Sequence, residues 1–440
     1  MQSVFYRDPG STYPTAVGAS GMYIHDADGH RYLDMSGGAA VSSVGHAHPM
    51  VVEAIAGQAG TLPFAHTAFF TNEPQEILAG KLAARFGEKG ARVWFTSGGS
   101  ESNETALKIA WQYWRARGSH QKTIVVSRQF SYHGGTLGAT SISGSVFRRR
   151  PYEAVLHDWP RISPCYAYRH QRSDETEVAY GMRVAAELDD AIVAAGPENV
   201  AAFIAEPVVG ASLGVVPAVP GYLEEIRRIC DKHDVLMIAD EVMCGSGRCG
   251  TFYAHEEDNV LPDMVSIAKG LGGGYQPLGA ILTREHVMEA IRDGDETFAH
   301  GHTYVGHPIA CAAGVAIQNI LDGGLLAEVS EKGERLRALL TDRFGARAYI
   351  GDIRGRGLFV GIEFVADRDS KTAFPVGDSI PGKLKTAAME NRLVCYPGGG
   401  SVDGRAGAHM LLAPPFIAED QHFEELADKL DAMFASVFAA

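Results

Sequence analysis

Residues 235–241 read VLMIADE, and residues 264–274 read MVSIAKGLGGG. Each opens as a short apolar run, the pattern of a strand buried on both faces, as in a parallel sheet. Each then stops at a group that can do chemistry: Asp240 and Glu241 in the first, Lys269 in the second. An ionisable group directly after a buried strand is costly unless it is paired or bound to a ligand. Ligands of open α/β sheets sit at the carboxyl ends of the strands. The two stretches therefore predict one sheet with reactive groups along one edge.

The pattern repeats outward. Strands are expected at 92–96 (RVWFT), 123–127 (TIVVS), 200–205 (VAAFIA) and 278–282, with helices at 76–85, 101–115 and 222–233. Strands alternating with helices give an α/β fold with a large, mostly parallel sheet. A small hairpin is expected around the turn DADG at 26–29. After about residue 309 a long helix begins. Strands at 358–364 and 410–412 and a terminal helix over 419–438 then make a smaller α+β region. The expected division is an N-terminal segment, 1–60, that joins the small domain, a large domain, 61–315, that carries the sheet, and a small C-terminal domain, 316–440.

Composition bounds the function. The chain has 440 residues, 46% of them hydrophobic and 21% charged, so it can bury a large core. Its net charge of −14 argues against a general nucleic-acid binder, which needs a basic surface to meet phosphate. The start, MQSVFYRDPG, lacks the pattern of a signal peptide. The most apolar window, 200–219, is interrupted by Glu206, Pro207 and Pro217. No membrane is therefore expected. Six scattered cysteines read as reduced thiols, and the expected location is cytoplasmic. The close pair Cys244 and Cys249 has no second pair to complete a zinc site. The histidines at 46 and 48 and at 300, 302 and 307 have no carboxylate at metal-like spacing, so no metal is expected.

Four strand ends carry the chemistry. RVWFT runs into Ser97-Gly98-Gly99-Ser100 and then a helix. Glycines let backbone approach an anion, and the first N–H groups of a helix have no internal partner. This reads as a phosphate cradle, or more simply as an N-cap at Ser100. VAAFIA ends in Glu206. Asp240 could hold a protonated ring nitrogen. Lys269, with glycines around it, could have a lowered pKa and act as a nucleophile. Gly245, Gly247 and Gly250 match the dinucleotide-binding spacing, but the following TFYAHEEDN does not open a helix, so that reading is set aside. Cradle, Asp and Lys on one edge together fit pyridoxal 5′-phosphate.

At these residues the chain resembles the class III pyridoxal-phosphate aminotransferases, or omega-aminotransferases, of the aspartate-aminotransferase-like fold (fold type I). The likeness runs from YLDMSGGAAVSSVGHAHP at 32–49 to HMLLAPPF at 409–416. It is most specific in TSGGSESNETALKIA, SYHGGTLGA, IAEPVVG, IADEVMCGSGRCGTF, SIAKGLGGGYQPLGA and GHTYVGHP. The resemblance implies that Lys269 is the Schiff-base lysine and Asp240 the partner of the pyridine nitrogen. It implies that Gly99 and Ser100 bind the phosphate, that Tyr132 stacks on the ring, and that Val242 packs its other face. Glu206 is implied beside the cofactor. Thr303 is implied to reach the phosphate of a neighbouring subunit, so that a homodimer shares its sites. Arg405 is similar to an arginine that swings to bind a substrate carboxylate; the alternative is an exposed loop arginine.

Relatives that use 2-oxoglutarate commonly carry glutamine where Met243 stands, and methionine cannot donate a hydrogen bond. This counts against a glutamate-type donor. The small Ala40, Ser42 and Ser43 lie in the early loop that helps wall the pocket in relatives, and the aromatics Phe64, His66, Phe69 and Phe70 supply either an apolar face of that pocket or core packing. The expected reaction moves an amino group from an amine or omega-amino acid to a 2-oxo acid, with pyruvate the favoured acceptor. A racemase, aminomutase or decarboxylase of the same fold, or a non-catalytic cofactor-binding regulator, are the alternatives.

Overall fold

The computed structural model describes residues 3–294 and 297–438. Near the N-terminus β1 (Ala16–Ser20), β2 (Tyr23–Asp26) and β3 (Arg31–Asp34) form an antiparallel meander, with the expected turn between β2 and β3. Asp26 fixes that turn, its carboxylate accepting from the N–H groups of Asp28 and His30 at 3.0 and 2.8 Å. The outer edge of β3 is taken, in parallel, by Leu393–Val394 from the far end of the chain. The first helices, α1 (Pro49–Thr61) and α2 (Glu73–Arg85), follow; α1 lies ahead of the point where the sequence suggests helices begin.

The central sheet has seven strands. In chain order they are β4 (Arg92–Thr96), β5 (Ile124–Arg128), β6 (Arg161–Ile162) and β7 (Val200–Ala205). A ribbon of β8 (Val208–Val209) and β9 (Val216–Pro217) intervenes. Then come β10 (Leu236–Asp240), β11 (Met264–Ile267) and β12 (Gly279–Thr283). The spatial order is β4-β12-β11-β10-β7-β5-β6. Only β12 runs against its neighbours. Its link from β11 is short and glycine-rich, with no helix long enough for a crossover, so the chain returns antiparallel.

Both faces of this sheet are covered, which is why an inner strand such as β7 is continuously apolar. On one face, α3 (Gly99–Ala116) lays Ala106, Leu107, Ala110 and Trp114 against Ala202, Ile204, Leu236 and Ile238. On the other, α6 (Glu177–Ala195) and α7 (Tyr222–Lys232) lay Val184, Leu188, Ile226 and Ile229 against Phe203, Ala205 and Met237. Two short helices, α4 (Leu137–Ile142) and α5 (Val146–Arg149), lie between α3 and α6 in the chain. Burying each large aliphatic side chain contributes about 1.5–3 kcal/mol, and Ile238→Ala at the sheet centre would cost about 2–5 kcal/mol.

Beyond α8 (Glu285–Gly294), the long α9 (Pro308–Asp322) carries the chain into the C-terminal region. The expected break at 315/316 falls inside this helix. Next come α10 (Val329–Phe344), β13 (Ile350–Arg356), β14 (Phe359–Phe364) and α11 (Ile380–Glu390). Finally β15 (Leu393–Val394), β16 (Tyr396–Gly399), β17 (Ala408–Leu412) and α12 (Asp420–Phe438) complete the chain. An antiparallel sheet has the order β13-β14-β17-β16.

Buried arginine ties this sheet to the large one. Arg354 on β13 donates to the carbonyls of Leu213, Gly214 and Val215 at 2.8–2.9 Å and pairs with Glu363 on β14 at 2.7 Å. Glu363 also pairs with Arg169 from the large-sheet region. The loop 210–215, directly before β9, is thus fixed from below.

Candidate active site

Four strand ends and one helix start converge on a cavity of about 420 Å³. Its walls include Gly99, Ser100, Tyr132, His133, Glu206, Asp240, Val242, Met243 and Lys269. This volume lies in the usual range for small-molecule sites, roughly 300–1,000 Å³.

The cradle comes from the start of α3. The N–H groups of Gly99 and Ser100 lie in its first turn, where no carbonyl four residues back is available. Gly99 is required by close approach, because a Cβ there would run into Val242. Ser100 Oγ accepts the N–H of Gly135 at 3.0 Å, which holds the 131–135 loop against the helix. Oriented N–H groups with a helix dipole behind them suit an anion.

Asp240 is the last residue of β10 and is 3% exposed. Its Oδ1 accepts the N–H of Val242 at 3.0 Å. Its Oδ2 meets His133 Nδ1 and Asn103 Nδ2, both at 2.7 Å. The far atoms of these two partners, His133 Nε2 and Asn103 Oδ1, are buried without hydrogen bonds. His133 and Asn103 were not found from the sequence. Asn103 is one turn into α3, and His133 stands beside Tyr132 in SYHGG. The place of Asn103 in the first turns after the glycine cradle, on the face that also buries Ser102 and Thr105, was the available signal.

Lys269 follows β11 and has φ +46°, in the left-handed region that a lysine adopts only at a cost. Burial lowers its amine from the ordinary 10.5, opposed by the negative charges of Asp240 and Glu206. Ser43 Oγ donates to the carbonyl of Gly270 at 3.2 Å and steadies the turn. Glu206 is buried, and burial raises its carboxyl above the usual 4.5. Its two oxygens accept the N–H groups of Tyr132 and Gly210, both at 3.1 Å. It therefore places the backbone of the Tyr132 loop. Met243 lines the cavity with Gly210 packed against it.

A second cavity of about 540 Å³ adjoins the first, sharing Tyr132 and Ala211 with it. Arg405 lines this one, on the exposed loop between β16 and β17. Thr303 lies on the exposed 301–307 loop, outside both cavities of the single chain. The pocket-wall expectation for the early residues is corrected. Ala40, Ser42 and Ser43 are buried behind the cavity, and Val41 is the neighbour that lines it. Phe64, His66, Phe69 and Phe70 line neither cavity; Phe69 and Phe70 are 79% and 66% exposed. The glycine-spaced segment 245–250 forms turns, and the piece that follows is a short 3-10 helix, Ala254–Asp258, not an α-helix opened by the glycines.

A mixed, mostly parallel sheet with a lysine, a carboxylate and an anion cradle at its edge defines a fold type I pyridoxal-phosphate enzyme. The family model for class III aminotransferases matches residues 7–434, and the chain belongs to that family. An uncharacterised aminotransferase of Schizosaccharomyces pombe is 41% identical, over 99% of this chain and 96% of its own. The uncharacterised aminotransferase YodT of Bacillus subtilis is 38% identical, over 97% and 96%. The omega transaminase of Pseudomonas jessenii in complex with PMP superposes with a TM-score of 0.92 at 30% identity. That match covers 99% of this chain and 96% of that one. The protein is thus a pyridoxal-phosphate-dependent transaminase.

Proposed function

We propose that the enzyme moves an amino group from an amine or omega-amino acid to a 2-oxo acid, with pyruvate as acceptor. The observation that carries this reading is Lys269, a buried amine held below its ordinary pKa in one cavity with Asp240 and the start of α3. The residues present fit the cofactor. The α3 N–H groups offer an anion cradle, and Asp240 offers a carboxylate already braced by three donors. Gly99 leaves room beside Val242.

Bound pyridoxal phosphate supplies an aldehyde that takes the amino group and a ring that stores an electron pair. Gly99 and Ser100 would hold its phosphate, and Asp240 would keep the ring nitrogen protonated. Tyr132 and Val242 would pack the two ring faces. Lys269 Nζ would anchor the cofactor covalently. Once displaced by substrate, it would take the proton from the substrate carbon and return it to the cofactor carbon on the far side of the shared nitrogen. Arg405 would pair with the carboxylate of the 2-oxo acid and swing aside for an uncharged amine.

We place the enzyme in the cytoplasm as a homodimer with shared sites. Six free cysteines suit a reducing compartment. Exposed Phe69, Phe70 and Tyr304, beside the loop of Thr303, offer an apolar face for a second copy. The test of function is a half-reaction. Adding an amine without any 2-oxo acid should shift the cofactor absorbance to the pyridoxamine form, and pyruvate should restore it. A racemase would show no net conversion, and that result would overturn the reading.

A further inference from the structure

The turn that carries Lys269 ends on a tyrosine that nothing above has used. Lys269 has φ +46°, and Gly273 and Gly274 also lie in the left-handed region. The carbonyl of Lys269 accepts the N–H groups of Gly272 and Gly273 at 3.1 and 2.9 Å. The carbonyl of Gly272 accepts the N–H of Tyr275 at 3.0 Å. Residues 269–275 thus form one closed run of turns, with the reactive lysine at one end and a phenol at the other. A left-handed lysine persists only where its surroundings over-determine it. The glycines permit this shape but do not impose it, because glycine adopts other shapes as readily.

What imposes it lies outside the turn. Tyr275 Oη donates to the carbonyl of Gly45 at 2.7 Å and accepts the N–H of His48 at 2.6 Å. Both partners belong to the early segment: Gly45 lies in the loop after β3, and His48 caps α1. Neither of these backbone groups has another hydrogen-bond partner among the described residues. One hydroxyl therefore serves two groups that depend on it, as donor to one and acceptor from the other. Ser43 Oγ bonds Gly270 in the same seam, and the Ser43 carbonyl accepts the N–H of Phe416 at 2.8 Å. On the other side of the turn, a Cβ at Gly273 would run into Ile317 of α9. Tyr275 itself lines neither cavity, although Gly274 and Gln276 on either side of it line the first.

We propose that Tyr275 is a positioning residue for Lys269. Its hydroxyl ties the far end of the lysine turn to the early segment, and so keeps the amine aimed into the cavity and sheltered from bulk water. This rests on Lys269 as the reacting amine. Lys269 serves both half-reactions, so a misaimed amine slows both, whereas the loss of a substrate contact weakens only one.

The first measurement uses the cofactor-free protein. Tyr275→Phe should raise the midpoint of Lys269 in amine-directed labelling toward that of exposed lysines, because a relaxed turn lets water reach the amine. Leu188→Ala, a core truncation on α6 away from the turn, should lower the melting temperature and leave the midpoint in place. A folded Tyr275→Phe protein with the wild-type midpoint would overturn the proposal. In the loaded enzyme, Tyr275→Phe should lower the maximal rate of both half-reactions, with amine and with pyruvate, about tenfold, the rate equivalent of one hydrogen bond. KM should barely move, and a change confined to the KM of one substrate would also overturn it. If the variant fails to fold, the wild type decides. Hydrogen exchange read by mass spectrometry should be slow in peptides spanning 44–50 and 268–276, and fast exchange in either would show that the seam does not hold. Labelling and exchange need no turnover, so their failure is distinct from that of the transaminase reading, which no half-reaction with any amine would sink.

Discussion

Lys269 is the residue on which most depends. Its amine is held below the ordinary 10.5 by burial, so in the cofactor-free protein it should be uncharged at a pH where surface lysines are still protonated. Amine-directed labelling across pH, read by peptide mass spectrometry, should give Lys269 a lower midpoint than the exposed lysines. A midpoint among theirs would remove the case for an activated amine. Borohydride reduction of the loaded enzyme should link cofactor to Lys269, and Lys269→Ala should lose turnover. Asp240→Asn should cut turnover by orders of magnitude in a folded protein. His133→Ala removes one charged hydrogen bond, worth about 1.5–3 kcal/mol, and should cost about ten- to a hundredfold in turnover. Loss of folding without loss of specific activity would make His133 structural. Lys269, Asp240 and Glu206 were legible in the sequence because a charge after an apolar strand has few bland explanations. His133, Asn103 and Tyr275 were not, because their meaning is a contact across the fold. Each is one polar residue among many until Asp240 or Gly45 is brought beside it.

Among elements, the strands were the most legible part. Those expected at 92–96 and 200–205 match β4 and β7 end for end; β7 is buried at every position, so no polar residue blurs its ends. Strand direction was less legible, because an apolar run reads the same both ways. The reversal of β12 follows from the length of its link. The clamp formed by β13 and β14 was not legible at all. Burial alone would push the Glu363 carboxyl up, but Arg354 and Arg169 outweigh it and hold it below the ordinary 4.5. A carboxyl depressed in the folded state adds stability above its unfolded pKa, and this is lost as pH falls. Thermal unfolding of the wild type should therefore drop steeply below pH 4.5. Glu363→Gln should be less stable at neutral pH by about 3–5 kcal/mol and lose less on acidification. Parallel pH curves for the two proteins would show that this cluster does not govern acid stability. The variant should also loosen loop 210–215, raising KM more than it lowers kcat, because Ala211 stands at the junction of the two cavities.

At the scale of the whole molecule, the proposed homodimer, with sites shared through Thr303, makes a sharp prediction. Lys269→Ala subunits and Thr303→Asp subunits should each be inactive alone. Refolded together, each hybrid dimer would hold one doubly damaged site and one intact site, so activity should return to about a quarter of wild type. No recovery would mean that Thr303 serves its own subunit or none. The pairing of β3 with Leu393–Val394 has a different consequence, one that concerns the order in which the chain is made. On a ribosome adding about 5–20 residues per second, β3 waits roughly twenty to seventy seconds for its last neighbour to be synthesised. During that interval the edge of the N-terminal meander is unpaired and open to strands of other nascent chains. Stalled or truncated products that end before residue 393 should aggregate through this edge, and supplying the C-terminal segment in trans should suppress it.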